Sequence, residues 1–185
     1  MTTPFTHLLH RAQQGDRVAI SELYEQYRVS VFRYLYYRTS DPQVAEDLTS
    51  ETFLRMIRSL VDYRPTNSTF QAWLIQIAHN LVVDHYRKRS NQSQRHTILE
   101  ENLVTGEAQT GSSVERKLNS ITLRQALTQI NEDQRDVIVL RFVAGMPISE
   151  VAQALRKSEN AINALPRRGL DALRKILTDW EVNYA

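Results

Sequence analysis

The sequence predicts an all-α protein with two small helical domains that are joined by a flexible linker. Apolar residues recur at three- and four-residue steps along most of the chain, which is the pattern of helices that bury one face. The 185 residues include only 5 Gly and 5 Pro, so helix breakers are rare. A polar stretch near the middle of the chain interrupts the apolar pattern and separates the two predicted domains.

The composition excludes several classes of protein. Cysteine is absent, which excludes disulfides, thiolate catalysis and zinc sites built on cysteine. The N-terminus lacks the uninterrupted apolar segment of a signal peptide, and no later stretch approaches membrane-spanning length. We therefore expect a cytoplasmic protein without membrane insertion.

The charges are nearly balanced in number but unevenly distributed. The chain has 23 Lys and Arg against 21 Asp and Glu, so its total charge says little about its partners. Acidic residues concentrate in the segment 41–51, and basic residues concentrate in the segments 87–95 and 156–175. Such separated segments can bind a protein partner with one surface and a phosphate backbone with the others. The alternative interpretation is that these runs are only solvated helix faces.

The first domain is expected to span residues 1–90 and to consist of successive helices. An N-terminal apolar stripe ends at Gly15, and a longer stripe follows it as far as the segment 39–42. Pro42 is well placed in the first turn of a new helix, because that position needs no backbone N–H donor. Turn-forming residues in the segment 64–69 predict a polar loop, after which helical spacing resumes.

The predicted helix 70–89 changes character along its length. Its first half has apolar residues on one side, namely Phe70, Trp73, Leu74, Ile77 and Leu81. Roughly the same side then carries Asn80, Asp84, Arg87 and Lys88. One interpretation is that the second half projects beyond the core, where an amide can meet base edges and cations can meet phosphate. A frayed, solvated helix end explains this segment equally well.

A linker over residues 91–113 is expected to precede a second domain over residues 114–185. The linker is rich in Ser, Gln, Asn, Thr and Gly, which favours an extended or mobile chain. The second domain is expected to be a four-helix unit with a helix-turn-helix. One buried helix, which carries Val137, Ile138, Leu140 and Phe142, closes near Gly145.

The helix-turn-helix is predicted from two short helices and a tight turn. Pro147 opens a helix with Ile148, Val151, Ala152 and Leu155 at helical spacing, and Ser158 is suited to cap the next helix. That second helix carries Asn160, Asn163, Arg167 and Arg168, which could enter a major groove. A plain helical hairpin is the alternative for this pair.

Pro166 is expected to disturb the second helix of this pair. An interior proline removes a backbone hydrogen bond and clashes with the preceding turn, at a cost of about 3 kcal/mol. We expect either a kink between Ile162 and Pro166 or a helix that ends there and restarts at Pro166. Either outcome would redirect Arg167 and Arg168.

Four segments together resemble the extracytoplasmic-function group of sigma-70-like factors. The opening helix is LLHRAQQGDRVAISELYEQY, and DPQVAEDLTSETFLRM is similar to the segment that binds core polymerase. FQAWLIQIAHNLVVDHYRKR resembles the minus-10 recognition segment, and SITLRQALTQINEDQRDVIVLRFVAGMPISEVAQALRKSENAINAL resembles the minus-35-binding domain. The resemblance covers about residues 8–178, and the four segments occur in the family's order.

The resemblance implies a role for each surface. Contacts with the clamp coiled coil of the polymerase β′ subunit are expected at Asp47, Glu51, Phe53 and Arg55, with Phe53 partly in the core and the other three exposed. The loop would capture a flipped minus-10 base. Contacts with the minus-10 element are therefore expected on the loop and on the following helix, at Arg64, Thr66, Asn67, Ser68, Asn80, Asp84, Arg87 and Lys88. Contacts with the minus-35 element are expected at Arg141, Ser149, Ser158, Glu159, Asn160, Asn163, Arg167 and Arg168. The implied partners are core RNA polymerase with its β′ and β subunits, promoter DNA and an anti-sigma factor.

The chain also departs from the family's pattern. Ser50 stands where the family often has Gln, and His79 stands where Arg is common. In the second domain, Pro147 replaces a frequent Ser, Asn160 replaces a usual Gly and Asn163 replaces a frequent Lys. The departures in the second domain therefore fall among the residues next to or within the expected minus-35 contacts.

Two other function classes compete with this interpretation. A helix-turn-helix regulator that binds duplex DNA as a dimer explains the second half of the chain but leaves the acidic segment and the polar loop without a role. An enzyme is disfavoured because His79 and His85 are six positions apart, which does not fit the spacing of a helical metal site. The chain also lacks a Gly-rich phosphate loop and a nucleophile–base set. We expect no catalytic residue, cofactor or metal.

Overall fold

The computed structural model describes residues 4–65, 69–93 and 122–184. All regular structure in these ranges is helical, which confirms the predicted all-α class. The first unit consists of α1 (Pro4–Gln13), α2 (Arg17–Thr39), α3 (Pro42–Ser59) with a following 3₁₀ turn (Leu60–Asp62), and α4 (Phe70–Ser93). The second unit consists of α5 (residues 122–128), α6 (Glu132–Ile138) with a π-helical continuation (Val139–Val143), α7 (Ile148–Leu155) and α8 (Glu159–Tyr184).

Side-chain caps set the ends of the helices in the first unit. The Asp16 carboxylate accepts hydrogen bonds from two backbone N–H groups at the start of α2, and Asp41 does the same for α3. Between these helices Ser40 adopts a left-handed conformation with φ 59° and ends α2. Pro42 is the first residue of α3, as the sequence predicted. The chain therefore reverses between α2 and α3 within very few residues.

An aromatic cluster anchors the start of α4 at Phe70. Phe70 is 2% exposed, and its ring lies edge-on to Phe5 at 5.7 Å and to Tyr63 at 5.4 Å between centroids. Tyr27 and Trp73 complete the cluster at 5.2 and 5.3 Å from the same ring. Such aromatic pairs contribute about 0.5–1.5 kcal/mol each beyond the area they bury. The start of α4 is thereby anchored to α1 and α2.

The π-helical segment changes which residues of the second unit are buried. Val139 and Leu140 lie in the core, whereas Phe142 is 60% exposed. The sequence predicted a buried Phe142, and that prediction is wrong because the wider π turn rotates the following side chains away from the helical stripe. Gly145, with φ 70°, then ends the segment.

The helix α8 runs without a break through Pro166. Of the two predicted outcomes, a helix that ends and restarts at this proline is therefore wrong, and a kink between Ile162 and Pro166 stays a prediction. Gly169 follows and lies against α6, because a Cβ atom built on it would approach Ile138 Cδ1 to 2.6 Å. The part of α8 that follows the proline therefore packs closely against α6, and the helix continues in spite of the missing hydrogen bond.

The two helical units pack against each other. The helices α2 and α4 of the first unit contact α6, its π-helical continuation and α7 of the second unit. Ala78 and Val82 of α4 and Val151 of α7 are fully buried. Most of the predicted linker, residues 94–113, lies outside the described residues.

Replacing Phe70 with Ala is expected to lower the free energy of unfolding by about 3–5 kcal/mol, because a fully buried aromatic ring is removed. The same change at the exposed Phe142 is the matched control and should cost less than about 0.5 kcal/mol. Urea unfolding followed by circular dichroism measures both. Equal losses in the two variants would contradict the assigned burial.

Candidate nucleic-acid interface

The outer face of α3 combines acidic and apolar side chains. Asp47 is exposed, and Glu51 forms an i,i+4 ion pair with Arg55 at 2.9 Å that is open to solvent. Leu54 and Ile57 beside them are 49% and 42% exposed. We define these five residues as the α3 face. A partly apolar patch with charges around it is the usual chemistry of a protein-binding surface.

Phe53 does not belong to that face. Its side chain is 4% exposed and its ring lies edge-on to Tyr24 at 4.7 Å. The sequence assigned Phe53 to polymerase contact, and the structure corrects this, because a buried ring cannot reach a partner. Phe53 supports the α3 face from inside.

Hydrogen bonds between side chains and backbone atoms stabilise the described part of the polar loop. Arg64 donates from Nη1 to the carbonyl oxygens of Val61 at 2.7 Å and Tyr63 at 3.0 Å. Thr69 Oγ1 accepts from the backbone N–H of Ala72 and thereby caps α4. The candidate base-capturing residues Thr66, Asn67 and Ser68 lie outside the described residues.

The helix α4 has one free face and one buried face. Asn80, Arg87 and Lys88 are exposed, and Asp84 forms an i,i+3 ion pair with Arg87 at 3.0 Å. On the other side Tyr86 Oη donates to the backbone oxygen of Arg38 at 2.9 Å. The second half of α4 therefore projects toward solvent on one side only.

An open groove of about 330 Å³ joins the α3 face to α4. It is lined by Arg55, Arg58, Ser59, Ile77 and Asn80. Arg55 was expected to contact polymerase and Asn80 was expected to contact DNA, so the groove brings the two expected surfaces together. Within the described parts of the chain Arg58 has no ion-pair partner, which leaves its charge available to an anionic ligand.

The helix-turn-helix is present in the second unit. Its turn contains Arg156 in the left-handed conformation with φ 53°, followed by Ser158, whose Oγ accepts from the backbone N–H of Ala161 at 3.2 Å. The exposed surface of the second helix includes Glu159, Asn160, Asn163, Arg167 and Arg168. Three of them, at positions 160, 163 and 167, follow helical spacing and share one face.

Two further candidates for minus-35 contact lie before that helix. Ser149 is exposed in the first turn of α7. Arg141 is half-buried and donates from Nη1 to the backbone oxygen of Met146 at 2.6 Å. This bond closes the turn after the π-helical segment, so part of the Arg141 guanidinium has a structural role.

A buried ionic cluster connects the two units, and the sequence analysis missed it. Arg38 of α2 is 2% exposed and lies 2.9 Å from Asp136 and 3.0 Å from Glu132, both on α6. Tyr34 Oη donates to Asp136 Oδ1 at 3.0 Å and lies 2.9 Å from His79 Nδ1. We name these five residues the interdomain cluster. The signal in the sequence was a basic residue on the apolar stripe of α2, four positions after Tyr34.

Burial and charge shift the pKa values of the cluster. Burial raises the pKa of Asp136, against the opposing effect of the Arg38 guanidinium. Burial by itself lowers the pKa of Arg38, but Asp136, Tyr34 and Glu132 outweigh it and raise the pKa above its usual value. Burial lowers the pKa of His79 below its usual 6.5, although the Asp136 carboxylate opposes this. His79 is therefore neutral at pH 7, with Nδ1–H assigned as the donor to Tyr34 Oη.

The described residues contain no group of three or more His, Cys, Asp or Glu that could bind a metal ion. In the same part of the chain no helix combines the length and the apolar character that crossing a membrane requires.

Comparison with known families gives two matches. Residues 23–92 match the model of Sigma-70 region 2, and residues 126–175 match the model of Sigma-70, region 4. The first range contains the α3 face and α4, and the second contains the helix-turn-helix.

Curated relatives and solved structures agree with these matches. The chain is 38% identical over 180 residues to the ECF RNA polymerase sigma factor BldN of Streptomyces coelicolor, covering 93% of this chain and 65% of that protein. It is 32% identical over 162 residues to the ECF RNA polymerase sigma factor SigX of Bacillus subtilis, covering 83% of this chain and 80% of that protein. The fold is similar to CnrH in complex with the cytosolic domain of CnrY, with a TM-score of 0.72, 22% identity and coverage of 93% and 96%. It is also similar to the sigma factor RpoE in complex with the anti-sigma factor NepR from Bartonella quintana, with a TM-score of 0.74, 22% identity and coverage of 85% and 96%.

Acid is expected to destabilise the chain through His79. Because the pKa of His79 is lower in the folded chain, the unfolded chain binds its proton first as the pH falls below about 6.5. The contribution of His79 to stability is therefore present above pH 6.5 and is lost below it. The free energy of unfolding, measured in urea between pH 5 and 8, should decrease more steeply toward acid in the wild type than in His79→Gln. Parallel pH profiles would contradict the assignment.

Proposed function

The chain belongs to the extracytoplasmic-function family of RNA polymerase sigma factors, and we propose that it binds core RNA polymerase, directs it to specific promoters and opens the minus-10 element. Sigma factors initiate transcription and are not enzymes, so no catalytic residue is assigned. The chain spans 65% of the length of its relative BldN, and its activity and partners are argued from its own surfaces. The observation that carries the proposal is that one chain has both a protein-binding face on α3 and exposed nucleic-acid-binding chemistry on α4 and α8.

The α3 face is the proposed docking surface for polymerase. Leu54 and Ile57 supply an apolar centre, and Asp47 and Glu51 supply negative charge beside it. This combination fits a helical partner with basic residues around an apolar seam, such as the clamp coiled coil of the β′ subunit. Contact of the second domain with the β subunit belongs to the same proposal.

The groove between α3 and α4 is the proposed path of the minus-10 strand. The Asn80 amide can donate to and accept from a base, and the free guanidinium of Arg58 can pair with phosphate. Arg87 and Lys88 continue the positive charge along α4. We place the captured base at residues 66–68, which lie two to four positions before Phe70, the residue that the aromatic cluster anchors.

The minus-35 element is the proposed ligand of α8. Asn160, Asn163 and Arg167 share an exposed face, and the helix N-terminus that Ser158 caps favours a nearby phosphate. A dimeric regulator would use the same helix, but it would give no role to the α3 face or to the groove. The sigma factor interpretation uses all three surfaces.

The remaining parts of the proposal concern organisation and control. We place the domains at residues 1–90 and 114–185 with the linker at 91–113, and the protein in the cytoplasm with its polymerase. CnrH and RpoE were solved with partner proteins, CnrY and the anti-sigma factor NepR. We propose a protein of the anti-sigma class as the regulator of this chain as well.

Run-off transcription tests the function directly. Core polymerase and the purified chain are incubated with a library of promoter fragments, and the start sites are mapped. We expect transcripts that require both components and share a minus-10 and a minus-35 sequence. If no promoter in the genome of the source organism gives such a transcript, the proposal is wrong.

Leu54→Glu is expected to weaken binding to core polymerase by at least about tenfold, because it places a charge in the apolar centre of the α3 face. Val18→Glu is the matched control, since Val18 is 61% exposed at the start of α2 and away from that face. It should change the affinity less than about twofold. Fluorescence anisotropy with labelled chain and core polymerase measures both affinities, and equal weakening would exclude the α3 face as the docking surface.

Two changes on α8 are expected to affect DNA binding differently. Asn163→Ala should weaken binding to a cognate minus-35 duplex by about 1–3 kcal/mol and relax the base preference. Arg167→Gln should instead lower the slope of log affinity against log salt by about 1. Arg33→Gln, at an exposed arginine of α2, is the control and should have neither effect. Unchanged binding in both α8 variants would exclude this face.

A further inference from the structure

We propose that α8 reads two successive A·T base pairs of the minus-35 element directly, through the side-chain amides of Asn160 and Asn163. This inference rests on the proposed function and deepens it, because it states which bases the second unit selects. Both asparagines stand where the family usually has other residues. The base preference is therefore a property of this chain and is not carried over from its relatives.

The residues that would meet the bases lie on the side of α8 that faces solvent. We define them as the reading face, which consists of the exposed residues Asn160, Asn163, Ala164 and Arg167. At about 100° per residue, these four positions fall within an arc of about 100° around the helix. The buried residues of α8 fall on the opposite side, namely Ile162, Gly169 and Leu173. Packing of that buried side therefore turns the whole reading face outward.

The two amides of the reading face are not used to hold the helix itself. Ser158 caps α8, because its Oγ accepts from the backbone N–H of Ala161 at 3.2 Å. Among the described residues, neither Asn160 nor Asn163 makes a side-chain hydrogen bond. Each amide therefore has both its NH₂ donors and its carbonyl acceptor available, which a two-point contact with a base requires.

An amide complements adenine better than it complements guanine. In the major groove adenine presents N7 as an acceptor and its N6 amine as a donor, and the NH₂ group and carbonyl oxygen of Asn match this pair. Guanine presents two acceptors there, N7 and O6, so the carbonyl oxygen of the amide would be left without a donor. A two-point contact of this kind discriminates between bases by about 5- to 150-fold.

Spacing and a neighbouring alanine extend the match to two base pairs. Asn160 and Asn163 are separated by a helical rise of about 4.5 Å, which is closer to one base-pair step of about 3.4 Å than to two. Ala164 adjoins Asn163 on the reading face, and a small apolar side chain suits the C5-methyl group of thymine. The reading face therefore complements both strands of an A·T pair.

Contact with phosphate does not account for the two asparagines. A neutral amide releases no counterion from DNA and adds little to affinity, whereas Arg and Lys do both. The chain places arginine one turn further along the same face, at Arg167, where phosphate is the proposed ligand. The reading face thus separates base contacts at its start from a backbone contact at its end.

Selection by the complete holoenzyme tests the base preference. Core polymerase with the full chain is incubated with promoter templates whose minus-35 segment is randomised, and the templates in heparin-resistant complexes are sequenced. In the wild type we expect two successive A·T pairs, each favoured over G·C by at least about fivefold. Asn160→Ala should lose the preference at one of these pairs and Asn163→Ala at the other.

Two further variants sharpen the selection. Asn163→Lys should change the preferred base at its pair from adenine to guanine, because an ammonium group can donate to both N7 and O6. Gln125→Ala is the matched control, since it removes an exposed amide of the same unit from α5. It should keep both A·T preferences of the wild type.

An altered base distinguishes direct contact from a preference for DNA shape. 7-Deazaadenine still pairs with thymine but lacks the N7 acceptor. At the pair assigned to Asn163, it should lower the affinity of the wild-type holoenzyme by at least about fivefold and leave that of Asn163→Ala unchanged, because this variant has already lost the contact. Competition binding with labelled promoter measures both affinities.

The outcomes separate the inference from the proposed function. Initiation at promoters without an A·T preference would overturn the inference and leave the proposed function intact. An equal effect of 7-deazaadenine on the wild type and on Asn163→Ala, or no effect on either, would overturn it in the same way. Failure of the wild-type holoenzyme to initiate at any template would overturn the proposed function, and the inference with it.

Discussion

The arrangement of the whole chain depends on one buried cation. Arg38 lies on the apolar stripe of α2, where its charge cannot be hydrated, and two carboxylates of α6 compensate it. A buried charge without partners costs several kcal/mol, so the two carboxylates of α6 are what make the burial of Arg38 between the packed units possible. The packing of α4 against α7 follows from the same docking. The ionic contact between α2 and α6 and the apolar packing of α4 against α7 therefore join the two units together.

That docking also decides which surfaces are left for partners. One side of α4 is covered through Ala78 and Val82, so Asn80, Arg87 and Lys88 can meet nucleic acid only from the opposite side. The groove beside Asn80 extends to Arg55 on the α3 face. The surfaces proposed for polymerase docking and for minus-10 binding therefore adjoin each other.

Two local irregularities of the second unit position the residues of the helix-turn-helix. The π-helical turn after α6 rotates Phe142 outward, while Arg141 closes the turn that leads into α7. Gly169 allows α8 to lie close to α6, and the helix is continuous through Pro166. The exposed residues at the start of α8 and those after Pro166 therefore belong to one uninterrupted helix.

The sequence by itself predicted the all-α class and the helix starts at Pro42 and Ser158, because capping and apolar period are local properties that need no partner. The family followed from the resemblance of four segments. The sequence also identified the exposed faces of α3, α4 and α8. Only the tertiary structure decided that Phe53 is buried, that Phe142 is exposed and that Arg38 meets α6. The reason is physical: a helical period says which residues share a face, but not which distant helix covers that face, and the Arg38–Glu132 contact joins residues 94 positions apart.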